Sequence, residues 1–299
     1  MIPARSANAP VRLTGFLLGL VLLFAVAYAA GGAVGTRFVG VTTSPIHQHI
    51  HQHGGPGSAA QSVGGLTVAE NGYQLRRLSP DPVAGQLAQL VFQVIGPNGL
   101  PVTSFVNTHD KPLHLIIARR DLTGFQHLHP ALDAGGTWQV PLLVTSAGDY
   151  RAITEFVPDN RTDTLVLGMD LMVSGVYRPV SLPPPATETT VDGYTVRMLD
   201  RPVAGEPQQL RFTISANGTP VTTLEPYLAA YGHLVALRQG DLGYLHVHPD
   251  GGPGVSPPGP EISFTVELPS AGSYRLYLDF AHHGAVRTAE FTVNAPESL

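Results

Sequence analysis

Apolar residues in this chain come in short runs rather than in long helical stripes. Ile262-Ser263-Phe264-Thr265-Val266-Glu267-Leu268 alternates apolar with polar, and so does Ala289-Glu290-Phe291-Thr292-Val293. A period of two sends successive side chains to opposite faces, so each run predicts a strand with one buried face. Leu90-Val91-Phe92-Gln93-Val94-Ile95 and Leu210-Arg211-Phe212-Thr213-Ile214 run toward Asn98-Gly99 and Asn217-Gly218, dipeptides that favour hairpins. Leu113 to Ala118 and Leu234 to Leu237 do not alternate and read as buried strands. Turn signals recur at about 8–12 residues, which predicts roughly seven strands per sandwich. Past the N-terminal segment the pattern predicts no helix.

The pattern also repeats. Gly72-Tyr73-Gln74-Leu75-Arg76 returns as Gly193-Tyr194-Thr195-Val196-Arg197, and Pro82-Val83-Ala84-Gly85 as Pro202-Val203-Ala204-Gly205. Ser146-Ala147-Gly148-Asp149-Tyr150-Arg151 matches Ser270-Ala271-Gly272-Ser273-Tyr274-Arg275. A unit of this length is domain-sized, so two homologous domains in tandem are expected. The boundaries drawn are residues 66–178 for repeat 1, 179–190 for a Pro-rich linker and 191–296 for repeat 2.

Ahead of the repeats, Arg5 and Arg12 precede an uncharged apolar stretch, and residues 1–35 read as a signal or anchor segment. The stretch is long enough to span a bilayer, yet Ala27-Tyr28-Ala29 offers a cleavage site. A single-pass membrane protein with extracellular C-terminal domains is expected, or a secreted protein after cleavage. Residues 36–65 read as a flexible tether carrying His47, His49, His51 and His53. Charged residues make up only 13% of the chain and the net charge is −5 without a basic stripe, which argues against nucleic acid. With no cysteine, disulfides, thiolate zinc sites, Fe–S clusters and cysteine-ligated blue copper are excluded.

The candidate chemistry lies in histidine. His114 stands thirteen positions before His127-Leu128-His129-Pro130, and His233 stands thirteen before His246-Val247-His248-Pro249. Neutral imidazole is a common metal ligand, and residues i and i+2 of a strand share a face. A hairpin would bring His114 beside His127 and His129, and His233 beside His246 and His248, one site per domain. Glu155 and Asp279 align between repeats and read as further ligands, as acceptors for a ligand imidazole, or as plain partners of a nearby Arg. His282 and His283 would enrich the second site or sit on an exposed hairpin. His109 has no counterpart in repeat 2 and reads as a loop residue. The competing reading makes the repeated histidines caps on a core, hydrogen-bonded to main-chain carbonyls.

The segments Lys111-Pro112-Leu113-His114-Leu115-Ile116, Phe125-Gln126-His127-Leu128-His129-Pro130 and Tyr244-Leu245-His246-Val247-His248-Pro249 resemble membrane-anchored exported proteins of high-GC Gram-positive bacteria. That group has tandem His-containing YtkA-like or cupredoxin-like β-sandwiches and is described as binding heavy metals. The resemblance, covering roughly residues 66–295, implies an all-β fold: two tandem immunoglobulin-like or cupredoxin-like β-sandwiches after one N-terminal transmembrane or signal helix. It also implies copper, which the affinity order of first-row ions favours, with zinc as the alternative. The expected function is an extracytoplasmic protein that sequesters, buffers or transfers metal, with a metal-transport or other cell-envelope protein as partner. Two alternatives stay open: a His-ligated metalloenzyme of the cell envelope, and a structural or adhesive tandem module without metal.

Overall fold

A computed structural model describes residues 63–298, apart from the side chains of His246 and His248. The apolar N-terminal segment and His47, His49, His51 and His53 lie outside the described residues. Among the described residues every regular element is a strand, and no helix is long and apolar enough to cross a membrane.

Repeat 1 contains β1 (Ala69–Glu70), β2 (Tyr73–Arg77), β3 (Leu87–Ile95), β4 (Phe105–Val106) and β5 (Leu113–Arg119). It continues with β6 (Gln126–Leu128), β7 (Ala131–Leu132), β8 (Thr137–Leu143), β9 (Gly148–Pro158) and β10 (Leu165–Val173). Repeat 2 contains β11 (Glu188–Val191), β12 (Tyr194–Met198), β13 (Gln208–Ala216), β14 (Thr219–Pro220) and β15 (His233–Arg238). It ends with β16 (Tyr244–Pro249), β17 (Glu261–Val266), β18 (Gly272–His282) and β19 (Ala285–Ala295).

In repeat 1 the sheet β1-β2-β3-β8-β7 faces the sheet β10-β9-β5-β6, and all pairings are antiparallel. Their inner faces enclose Phe92, Trp138, Phe156, Leu115 and Leu167. Repeat 2 follows the same plan, except that β16 is continuous. Its first residues pair with β15 and its last two, His248 and Pro249, pair with β17, so both sheets join into one. In repeat 1 the equivalent stretch is interrupted at His129-Pro130, although Pro249 at the matching position of repeat 2 lies within a continuous strand. The Asn217-Gly218 hairpin forms as expected, with both residues at positive φ between paired Ala216 and Thr219.

The non-alternating runs have a clear cause. All seven residues of β5 are buried. Leu113, Leu115 and Ile117 face the core of repeat 1, whereas Ile116 and Ala118 belong to a third apolar cluster with Leu122, Ile153, Val235, Leu237, Leu242, Tyr244 and Tyr277. That cluster draws on both repeats, which therefore pack sheet against sheet. Phe125 stacks on Tyr277 with ring centroids 3.9 Å apart, and the Tyr277 hydroxyl donates to Leu122 O at 2.6 Å.

The sequence reading extended the tether to residue 65, but its last residues are part of this junction. Gly64 exchanges two main-chain hydrogen bonds with Tyr244, both 3.0 Å, and Gly65 N donates to Val166 O. The crossing is too tight for side chains: a Cβ on Gly168 would lie 2.0 Å from Gly65 O, and one on Gly64 would lie 2.7 Å from Val166. The Pro-rich linker touches the same region, with Val180 N donating to Asp121 and Leu182 packed on the third cluster.

Candidate metal centre

The antiparallel register of β5 and β6 sets Ile116 opposite His127, which brings His114 close to the His127/His129 pair. His114 Nδ1 lies 3.1 Å from His127 Nε2 and 3.3 Å from His129 Nε2, and the three candidate ligand atoms fall within 4.8 Å of one another. Two nitrogens on a tetrahedral ion with bonds of about 2.0–2.1 Å are separated by about 3.3 Å. The observed spacing matches.

The outer nitrogens decide what the inner ones present. His114 Nε2 lies 2.9 Å from Thr108 O, a carbonyl that can only accept, so this nitrogen carries the proton. His127 Nδ1 likewise donates to the Asp279 carboxylate at 2.9 Å. A neutral imidazole has one N–H, so His114 Nδ1 and His127 Nε2 both turn lone pairs toward each other. Burial pushes His114 down to about 4 and His129 down to about 3, with neighbouring imidazoles adding to the effect on both. Facing lone pairs at van der Waals distance are the electrostatics of a cation site.

The carbonyl that fixes His114 comes from a tight turn. Thr108 and Lys111 exchange main-chain hydrogen bonds around His109 and Asp110, whose φ values are 51° and 62°. Repeat 2 builds the same turn: Tyr227 and Ala230 bond around Leu228 and Ala229, with φ values of 52° and 63°. This turn type favours Asn-Gly, and side chains at such φ cost about 1–2 kcal/mol each. In both repeats the first turn residue lies six positions before the histidine that it serves. His233 Nε2 donates to Tyr227 O and Leu228 O, both at 3.0 Å, which leaves its Nδ1 as a lone pair. Burial, the first of several causes, lowers His233 to about 4.

The carboxylates cross between the repeats. Asp279 belongs to repeat 2 yet receives the proton of His127 in repeat 1. Glu155 lies opposite His114 in the β5–β9 register but accepts from the hydroxyl of Tyr244, in repeat 2, at 2.5 Å. His109 was read from sequence as a loop residue. It is one, at the tip of the Thr108–Lys111 turn, and its ring reaches into the junction, 5.9 Å from that of His114 and 5.4 Å from that of His233. His109, His114, His127, Glu155, His233 and Tyr244 help to line a cavity of about 20 Å³. That volume suits one ion or one water and no organic ligand.

His282 and His283 are not brought into this group. His282 Nδ1 bonds the Tyr194 hydroxyl at 2.8 Å and its Nε2 bonds Thr223 at 3.2 Å, while the His283 ring lies tilted against it, centroids 3.9 Å apart, at the β18–β19 hairpin. The side chains of His246 and His248 lie outside the described residues. Their backbone register, with Val235 opposite His246, repeats that of Ile116 opposite His127.

A family model for a domain of unknown function, DUF8832, matches residues 67–171 and again residues 189–297. The chain belongs to the DUF8832 family. Its two DUF8832 domains coincide with the two sandwiches. Comparison with curated proteins gives no match. Among solved structures, the Escherichia coli adhesin FdeC is 15% identical over 76% of this chain and 65% of that one, with a TM-score of 0.24. The bacterial integrin-binding protein invasin is 12% identical over 76% of this chain and 39% of that one, TM-score 0.24. Domains 4 and 5 of the S-layer protein SbsC are 11% identical over 77% of this chain and 99% of that one, TM-score 0.23. At these TM-scores the likeness carries no argument.

Proposed function

We propose that this DUF8832 protein holds a first-row transition-metal ion outside the cytoplasm, with His114 Nδ1, His127 Nε2 and His129 as its ligands in repeat 1. One observation carries the reading. Three imidazole nitrogens converge at ligand spacing, and hydrogen-bond acceptors on the far side turn two of them inward as lone pairs. Copper is the favoured ion, because it binds most tightly to a given nitrogen site and because the histidine segments resemble those of exported heavy-metal-binding sandwiches. Zinc is second, since the spacing suits a tetrahedral ion. The repeat-related set His233, His246 and His248 is proposed as a second site on backbone register and the fixed His233 tautomer. His47, His49, His51 and His53 would add weaker sites on the tether.

The apolar N-terminal segment supports export and a single membrane anchor, with the secreted form as alternative. The test is isothermal titration of the full-length protein in detergent with Cu(II) and with Zn(II). A tight site is expected that disappears in the His114→Ala/His127→Ala/His129→Ala variant. A wild-type protein that binds neither ion, or a variant that binds like wild type, sinks the proposal.

A further inference from the structure

We infer that the ion site of repeat 1 is completed by repeat 2, with Asp279 as the positioning residue that aims His127. The inference rests on the metal reading above and adds a requirement for the docked pair of repeats. Asp279 is 2% exposed and sits in mid-strand on β18, opposite His233 on one side and Thr288 on the other. Its Oδ1 accepts from the Thr288 hydroxyl at 2.6 Å, and its Oδ2 accepts from His127 Nδ1 at 2.9 Å. One oxygen is thus anchored in its own sheet while the other reaches across the junction. The aligned carboxylate of repeat 1, Glu155, accepts from the Tyr244 hydroxyl of repeat 2.

Without the carboxylate, the His127 proton would no longer be tied to Nδ1. A free imidazole could carry it on Nε2, which would close the lone pair that faces His114. Loss of such an outer acceptor typically weakens metal binding by about 10–100-fold. Binding couplings are reciprocal, so an ion at His114, His127 and His129 tightens the docking of the repeats by the same factor. The ion therefore acts as a clasp through His127: repeat 1 supplies all three ligands, and repeat 2 supplies the carboxylate that aims one of them.

The test uses full-length Asp279→Ala and Asp279→Asn proteins, titrated with Zn(II), with His282→Ala as a control away from the junction. Nitrogen-15 NMR of the histidine rings in the metal-free proteins reports the His127 tautomer. Expected are a roughly 10–100-fold loss of affinity in Asp279→Ala and a shift of the His127 proton away from Nδ1, with His282→Ala unchanged. The Asn variant keeps the side-chain shape, so it serves if the Ala variant fails to fold, and a weakened site in it also supports the inference. Affinity within about threefold of wild type in both variants, with His127 still Nδ1-protonated, overturns the inference and leaves the metal reading standing. A wild-type protein that binds no Zn(II) removes the clasp. In that case the metal reading itself has failed, provided that Cu(II) does not bind either.

Discussion

Acid should unfold this protein earlier than its composition suggests, because the buried imidazoles are neutral only while it is folded. His114 and His233 titrate at about 4 and His129 at about 3 in the folded chain, against about 6.5 for an exposed imidazole. Desolvation is the leading cause for all three. Between these values the unfolded chain binds protons that the folded chain refuses, so stability falls as pH falls. The stabilising difference is complete above about pH 6.5, declines on acidification and levels off near pH 3–4. At pH 5 each ring contributes about 2 kcal/mol to the loss. Three rings together would lose several kcal/mol, against a stability of about 5–15 kcal/mol for an ordinary domain. Even a third of the sum, about 2 kcal/mol, is readable by urea unfolding with chelator present at pH about 7.5, 6 and 5. The midpoint should fall steadily, and the His114→Ala/His129→Ala/His233→Ala variant should give a flatter profile. A midpoint constant from pH 7.5 to 5, or a variant as steep as wild type, would refute the reasoning.

Three further outcomes follow from the junction and its turns. Tyr277→Phe removes the donor to buried Leu122 O and should cost about 1–3 kcal/mol by urea unfolding, whereas no loss would show that water replaces the hydroxyl. Gly168→Ala drives a methyl into Gly65 O and should release the segment Gly64–Thr67, read as faster exchange of the Tyr244 amide, which donates to Gly64 O; unchanged exchange would contradict the tight crossing. Ala229→Gly relieves an exposed residue at φ 63° and should stabilise by roughly 0.5–1 kcal/mol, and a destabilised variant would count against strain in that turn.

The fold was legible because each sandwich wets one face of most strands, and strict alternation in Ile262–Leu268 records that directly. The grouping of His114 with His127 and His129 was legible too, since a single hairpin joins them within one repeat. What crosses between repeats was not. The alignment with Glu155 marks Asp279 as an acceptor for a ligand imidazole, but spacing does not show that this imidazole is His127 of the other repeat, 152 positions away. A signal for the junction did exist. Leu113 to Ala118 and Leu234 to Leu237 fail to alternate, and a strand apolar on both faces needs a second covering layer. In a two-repeat chain the other repeat is the natural cover. The turns at His109-Asp110 and Leu228-Ala229 escaped because they lack the Asn-Gly pair that marks such geometry elsewhere. The loop position of His109 is legible, but its reach toward His114 and His233 depends on this turn.

X-ray absorption at the metal edge of the full-length protein, loaded with one equivalent of copper or zinc, tests the central claim most directly. A first shell containing three imidazole nitrogens at about 2.0–2.1 Å is expected, lost when His114, His127 and His129 are replaced by alanine. A shell of oxygen alone, or an imidazole shell that survives those substitutions, would contradict it.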